Sequence, residues 1–277
     1  MKTSYNHLLL IIFLSFSVGI WGQVKLVILH TNDTHSRIEP VPATDSRNAN
    51  LGGAERRAAY FDSVRKDNKD VLILDSGDFL QGTPYFNMFK GEVETEVMNL
   101  LRYDATTLGN HEFDYGLNTI ASVARRAKFP IVCTNYDFIG TPVEGLTKPY
   151  IILKKGGVRI GIIGIGIQPK GLIASANYEG MQFLSPIPTA NQYATMLKKE
   201  KKCDIVICLS HLGYTDDINL AENSHNIDFI LGGHSHTFMK EAKTLKNADG
   251  KDIVIFQNGD RGMYIGRLDV ELEKTKK

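Results

Sequence analysis

The chain has 277 residues, room for one large domain or two small ones around a sizeable core. A hydrophobic content of 43 % is that of a globular protein, and a formal net charge of +1 excludes the basic field that nucleic-acid binding needs. The charges are dispersed, apart from Lys198-Lys199-Glu200-Lys201-Lys202, which reads as the solvated end of a helix.

In chain order, residues 1–22 read as a secretory signal peptide. Lys2 and His7 make a weakly basic start, Leu8 to Val18 is apolar with small serines, and Gly22 precedes a cut that leaves Gln23 as the mature start. The alternative is a membrane anchor, but the apolar run is shorter than the ~20 residues that span a bilayer. Without a cysteine at the cut, a lipidated start is not expected. The expectation is an exported chain, periplasmic or extracellular, with no stable membrane insertion after cleavage.

Strands and helices then alternate. Lys25–His30 is an expected strand, Gly53–Asn68 a helix, Val71–Asp75 a strand, Gly91–Leu101 a helix and Ala105–Gly109 a strand. Leu117–Ala127 follows as a helix and Pro130–Asn135 as a strand. Tyr150–Lys154 and Val158–Ile165 flank Lys155-Gly156-Gly157, a hairpin signal. Pro188–Lys201 is an expected helix, and Asp204–Ser210, Ile227–Leu231, Asp252–Gln257 and Met263–Glu273 are strands. Continuous apolar runs such as Val71–Leu74 and Ile205–Leu209 suit sheets covered on both faces. No long linker or repeat divides the chain, so residues 23–277 read as one domain. Cys203 and Cys208, five residues apart on one strand, would sit ~16 Å apart, beyond the ~7 Å a disulfide spans. Cys133 and Cys208 read as core residues.

Five of the eight histidines fall in loops that begin where expected strands end, where α/β folds build sites. Asp33 and His35, two apart in Asn32-Asp33-Thr34-His35, can converge on one cation, although Asn-Asp-Thr is also ordinary turn chemistry. Asp78, after Gly77, can bridge two cations or simply close an Asx turn; Asp75 reads as support. In Gly109-Asn110-His111-Glu112-Phe113-Asp114, Asn110 offers a neutral oxygen to a metal. His111 points elsewhere and is free for proton chemistry, with Asp114 placed to fix its tautomer; a helix-capping network is the structural alternative. Glu112 reads as structural. His211 closes a strand, and His234 and His236 alternate onto one face after two glycines. Two Asp, one Asn and four His are about the set two metals sharing a carboxylate require. Mixed N/O donors suit Zn²⁺, Mn²⁺, Fe or Co and are poor for Ca²⁺. His30 reads as a core residue and His225 as exposed.

Leu29-His30-Thr31-Asn32-Asp33, Gly77-Asp78-Phe79-Leu80-Gln81-Gly82, Leu108-Gly109-Asn110-His111-Glu112-Phe113-Asp114 and Ile230-Leu231-Gly232-Gly233-His234-Ser235-His236 are specific in combination. From about Lys25 to Glu273 the chain resembles the metallophosphatase domain of bacterial and animal 5′-nucleotidases, within the calcineurin-like metallophosphoesterases. The resemblance implies an α/β (α+β) fold, a four-layer αββα sandwich of two mixed β-sheets flanked by helices. It implies two divalent metal ions, one held by Asp33, His35, Asp78 and His236, the other by Asp78, Asn110, His211 and His234. His111 with Asp114 matches the family's catalytic dyad. Ser36 stands where relatives often have glycine, and the family's C-terminal nucleotide-binding domain is not found in this sequence.

The expected reaction is phosphomonoester hydrolysis, most simply release of phosphate from nucleotides. A metal-bridging hydroxide attacks, and His111 and Asp114 assist the leaving group. The substrate would be a nucleotide or another small phosphate ester, and a separately encoded C-terminal nucleotide-binding domain protein could dock on the open face. The alternatives are a phosphodiesterase or 2′,3′-cyclic-nucleotide hydrolase, a thiosulfohydrolase on the same site, or a non-catalytic metal-binding subunit. An intact His111–Asp114 pair argues against the last, since storage needs no proton donor.

Overall fold

The computed structural model describes residues 23–273; the expected leader, 1–22, and the last four residues lie outside them. The elements in order are β1 (Gln23–Thr31), α1 (Ala54–Asp67), β2 (Val71–Asp75), α2 (Pro84–Phe89), α3 (Glu92–Leu101), β3 (Ala105–Thr106), α4 (Gly116–Arg126), β4 (Tyr136–Asp137), β5 (Ile151–Lys155) and β6 (Val158–Gly166). After them come β7 (Gln182–Phe183), α5 (Pro186–Lys199), β8 (Ile205–His211), α6 (Tyr214–Glu222), β9 (Phe229–Leu231), β10 (Lys243–Lys246), β11 (Asp252–Phe256) and β12 (Gly266–Glu273).

Strand alternation sorts the apolar side chains into layers. Leu26 and Ile28 of β1, with Leu72 and Leu74 of β2, meet Ile160, Ile162, Ile207 and Leu209 from the other sheet in a central core. On the outer face of the first sheet, Val27, Leu29 and Ile73 pack against Phe61 and Val64 of α1, Met98 of α3 and Ile120 of α4. On the outer face of the second, Ile163, Val206 and Cys208 pack against Ala194 and Leu197 of α5 and Leu220 of α6. The result is the expected α-β-β-α stack. The first sheet runs β12-β1-β2-β3 and the second β10-β11-β9-β8-β6-β5. Both are mixed: β1, β2 and β3 are parallel, as are β6, β8, β9 and β11, while β12, β5 and β10 pair antiparallel at the edges. The β5–β6 hairpin turns on Gly156 and Gly157, both at positive φ (55° and 78°), as a two-residue turn between twisted strands requires.

Two expected strands need adjustment, and several elements were not anticipated. The strand expected over 130–135 is reduced to isolated bridges from Ile131 to Thr106 and from Val132 to Lys148. Of Ala105–Gly109, only Ala105 and Thr106 pair with β2, because the chain then leaves the sheet to deliver Asn110. β12 returns to the first sheet and pairs with β1 along eight residues from Gln23↔Glu273 to His30↔Gly266. Short α2, polar α6 and edge strand β10 were not anticipated. All three cysteines are buried and free.

Candidate metal centre

Asp33, Asp78, Asn110, His211 and His234 all follow or end parallel strands, so their loops emerge at the carboxyl ends of β1, β2, β3, β8 and β9. This is the edge of an α/β sheet at which ligands bind. His211 Nε2 lies 3.1 Å from Asp78 Oδ2 and 3.9 Å from Asp33 Oδ1. His236 Nε2 is 3.4 Å from Asp33 Oδ1 and 3.0 Å from His35 Nε2. His234 Nδ1 is 2.8 Å from Asn110 Oδ1. Asp33, His35 and His236 bring donor atoms within 4.8 Å of one another, as do Asp78, His211 and His234; Asp78 also groups with His35 and His111. All seven expected ligands therefore meet, with Asp78 between two groups.

The turns are fixed from behind. Glu112 accepts from the amides of Asp78 (3.0 Å), Leu80 (3.1 Å) and Gly109 (2.6 Å), which ties the second loop to the third. Burial, with the Asp78 carboxylate beside it, pushes Glu112 up to about 8. Asp75 accepts from Thr31 Oγ1, Thr106 Oγ1 and the Gly77 amide, supporting the loop as expected. Asn32 donates to Asp33 Oδ2 (2.6 Å) and to the Gly259 carbonyl (2.7 Å), while its own oxygen accepts the Asn258 amide. His30 is a satisfied core histidine: Asn258 donates to its Nδ1, its Nε2 meets Ser76 Oγ, and burial lowers it to about 3. His225 is half-exposed and paired with Asp249 at 2.8 Å. Gly109 must be bare, since a Cβ there would overlap Asp78 Oδ1 and lie 2.6 Å from His211 Nε2.

The donor set fits divalent cations. His211 Nδ1 donates to the Ser76 carbonyl at 2.6 Å, which turns Nε2 toward the two carboxylates. That buried Nε2 forms no aligned hydrogen bond, and neither does buried His35 Nδ1. Asp33 and Asp78 are buried acids side by side and demand positive charge. Against the penalty of burial, Asp78 and Asp33 raise His211 to about 10, while the same contacts hold Asp78 well below the carboxylate range. Buried carboxylates, imidazoles and an amide oxygen are the N/O mixture that zinc, manganese, iron or cobalt accept.

His111 stands at the mouth. Its backbone amide binds Asp78 Oδ1 at 2.8 Å, and its ring Nδ1 meets Asp114 Oδ2 at 3.0 Å. The Asp114 bond raises His111 above the usual histidine value, and its side chain is 32 % exposed, open to an incoming molecule. Sequence reasoning passed over Asn258, Gln257 and Asp260. Gln257 holds the Gly233 carbonyl and Ser235 (2.8 and 2.9 Å), and Asp260 Oδ2 lies 3.7 Å from His236 Nδ1. Polar letters closing a strand were the only signal they gave.

The profile of the calcineurin-like phosphoesterase family matches residues 26–238, and the chain belongs to that family. A snake venom 5′-nucleotidase of Naja atra is 32 % identical over 276 residues, 92 % of this chain and 52 % of that protein. The crystal structure of a 5′-nucleotidase precursor from Thermus thermophilus superposes with a TM-score of 0.84 at 37 % identity, over 89 % of this chain and 51 % of that one. A sulfate thiohydrolase of the same organism, SoxB, shares the fold (TM-score 0.72, 18 % identity, 87 % of this chain and 53 % of that one). The chain spans about half the length of the curated relatives it matches.

Proposed function

We propose that the chain is a dinuclear-metal phosphomonoesterase that releases phosphate from 5′-nucleotides. The carrying observation is the convergence of Asp33, His35, Asp78, Asn110, His211, His234 and His236 with His111–Asp114 at its edge. Asp33, His35, Asp78 and His236 would hold one ion, and Asp78, Asn110, His211 and His234 the other. Such ions supply Lewis acidity: they acidify water and offset phosphoryl charge. The chain's own contribution is orientation and a proton. Asp114 fixes the His111 ring with Nδ1 engaged, leaving Nε2 to face the ester. His111, held above its ordinary value by Asp114, carries the proton a departing alkoxide needs. Glu112 and Asn32 keep the ligand loops in register.

Residues 1–22 would act as a cleaved leader that exports the chain to the periplasm or beyond. Within the described residues, no helix is long and apolar enough to cross a membrane. The matched relatives are about twice as long as the part this chain covers; we propose that a nucleotide-binding domain docks over the open face, supplied by a separately encoded protein. A fall in KM for AMP when that protein is added would support the pairing, and a KM already low and unmoved would end it.

The test is a panel of AMP, a 2′,3′-cyclic nucleotide and a thiosulfonate carrier, offered to the metal-loaded chain and its variants. AMP should be the best substrate. His111→Ala should keep its metal and lose about 10²–10⁴-fold in turnover, the typical loss for a proton donor, whereas Asp78→Ala should lose metal. Preference for the cyclic ester or the thiosulfonate, or full activity in His111→Ala, would overturn the reading.

A further inference from the structure

Two aromatic rings stand beside the ligand cluster without a role in it. Phe238 is 54 % exposed and Tyr264 36 % exposed, and their rings stack with centroids 4.2 Å apart at a tilt of 35°. Phe238 lies two residues beyond His236, so their Cα atoms are at most ~7 Å apart. Ser235 and Thr237 are tied to Gln257: their hydroxyls meet at 2.9 Å, and Ser235 Oγ and the Thr237 amide both reach Gln257 Oε1. His236, with its side chain 43 % exposed, and Phe238 take the outer side.

Tyr264 comes from the other segment that grips the cluster. Asn32 holds the Gly259 carbonyl, the Arg261 amide donates to the Asp33 carbonyl at 2.6 Å, and the Gly259 amide donates to the Thr237 carbonyl at 3.0 Å. Both rings are thus carried by backbone fastened to Asp33 and to the His234–Thr237 turn. The other exposed aromatic near the mouth, Tyr115, is already engaged: Lys90 Nζ lies 3.2 Å from its ring centroid and Phe86 packs at 5.0 Å. Of these two places, only the Phe238–Tyr264 pair has aromatic surface left to offer.

We propose that Phe238, backed by Tyr264, is a stacking platform for the base of a substrate whose phosphate sits on the Asp78 cluster. The inference rests on the phosphomonoesterase reading of the site and assigns to a residue of this chain the recognition of the planar base that a nucleotide carries a ribose away from phosphorus. Stacking uses the π-face that every base has, so the platform favours nucleotides over sugar phosphates and discriminates little among bases. A platform on one side only leaves the second face of the base to water or to a docked domain.

The test compares AMP with ribose 5-phosphate, which keeps the phosphate and sugar and lacks the base. In the metal-loaded chain, Phe238→Ala should lower the ratio of kcat/KM for AMP to that for ribose 5-phosphate at least about fivefold, the low end of what loss of a stacking aromatic costs. Phe238→Tyr should restore the ratio. In parallel, saturation-transfer NMR with a non-hydrolysable phosphonate analogue of AMP should mark the base protons in the wild-type chain and lose that mark in Phe238→Ala. A ratio unchanged within twofold, or base protons equally marked in both chains, overturns the platform while leaving the phosphomonoesterase reading intact. A chain that hydrolyses neither ester overturns that reading, and the NMR comparison still decides the platform.

Discussion

Asp33, His35, Asp78, His234 and His236 all sit at positive φ, between 49° and 72°. Non-glycine residues in such backbone cost about 1–3 kcal/mol each and persist only where the surroundings over-determine them. Here the surroundings are Glu112, Asn32, Gln257 and the bare α-carbon of Gly109. Gly109→Ala should therefore keep the fold and lose metal, because its methyl group occupies the space of Asp78 Oδ1 and His211 Nε2; elemental analysis beside a circular dichroism spectrum would show it. Full metal content in that variant would mean the cradle is looser than drawn. Asp217 offers a second test. It is buried, accepts from Ser210 Oγ, and burial raises it to about 8. The folded chain then keeps a proton that the unfolded chain releases near pH 4, so stability falls as pH climbs from about 4 through 8. Asp217→Asn should lack that part of the slope; urea midpoints at pH 5, 6.5 and 8.5 that run parallel for both chains would refute it. The proposed ligands were legible because each is spelled into a short loop after an apolar run. Their supports were not, since Asn258 meets Asn32 across 226 residues and carries no local signal.

At the scale of elements, β2 and β8 were readable almost to the residue because both faces are buried and the run is apolar through Leu74 and Leu209, with polar residues only at the strand ends. The chain around Ile131 and Val132 has the same composition but bridges a different neighbour at each residue, which no periodicity encodes. β10 has three of its four residues exposed and pairs on one side only, and α6 starts with Asp216 and Asp217 in its first turn, so neither shows an apolar stripe of useful length. The four-layer arrangement itself came from family resemblance; alternation alone indicates two-faced sheets without saying that two of them stack. Packing gives a prediction here. Leu74→Ala, between the sheets, should cost about 2–5 kcal/mol in urea unfolding, while Leu100→Ala, on α3 and 80 % exposed, should stay within about 0.5 kcal/mol. Equal effects would contradict the assignment of the central core.

At the scale of the molecule, five loops from two sheets come together only in the folded chain, so any ion bound there stabilises the fold. A cation at 100 times its Kd adds about 2.7 kcal/mol per site. Chelation should lower Tm, and the fall should vanish in variants that cannot bind. The central claim is that Asp78 serves two cations at once. Metal stoichiometry, measured by titration and elemental analysis of the wild-type chain and Asp78→Asn, tests it most directly. Two ions per wild-type chain and the weakening of both together in Asp78→Asn is the predicted result. One ion in the wild type, or a variant that loses one and keeps the other at full affinity, would contradict it.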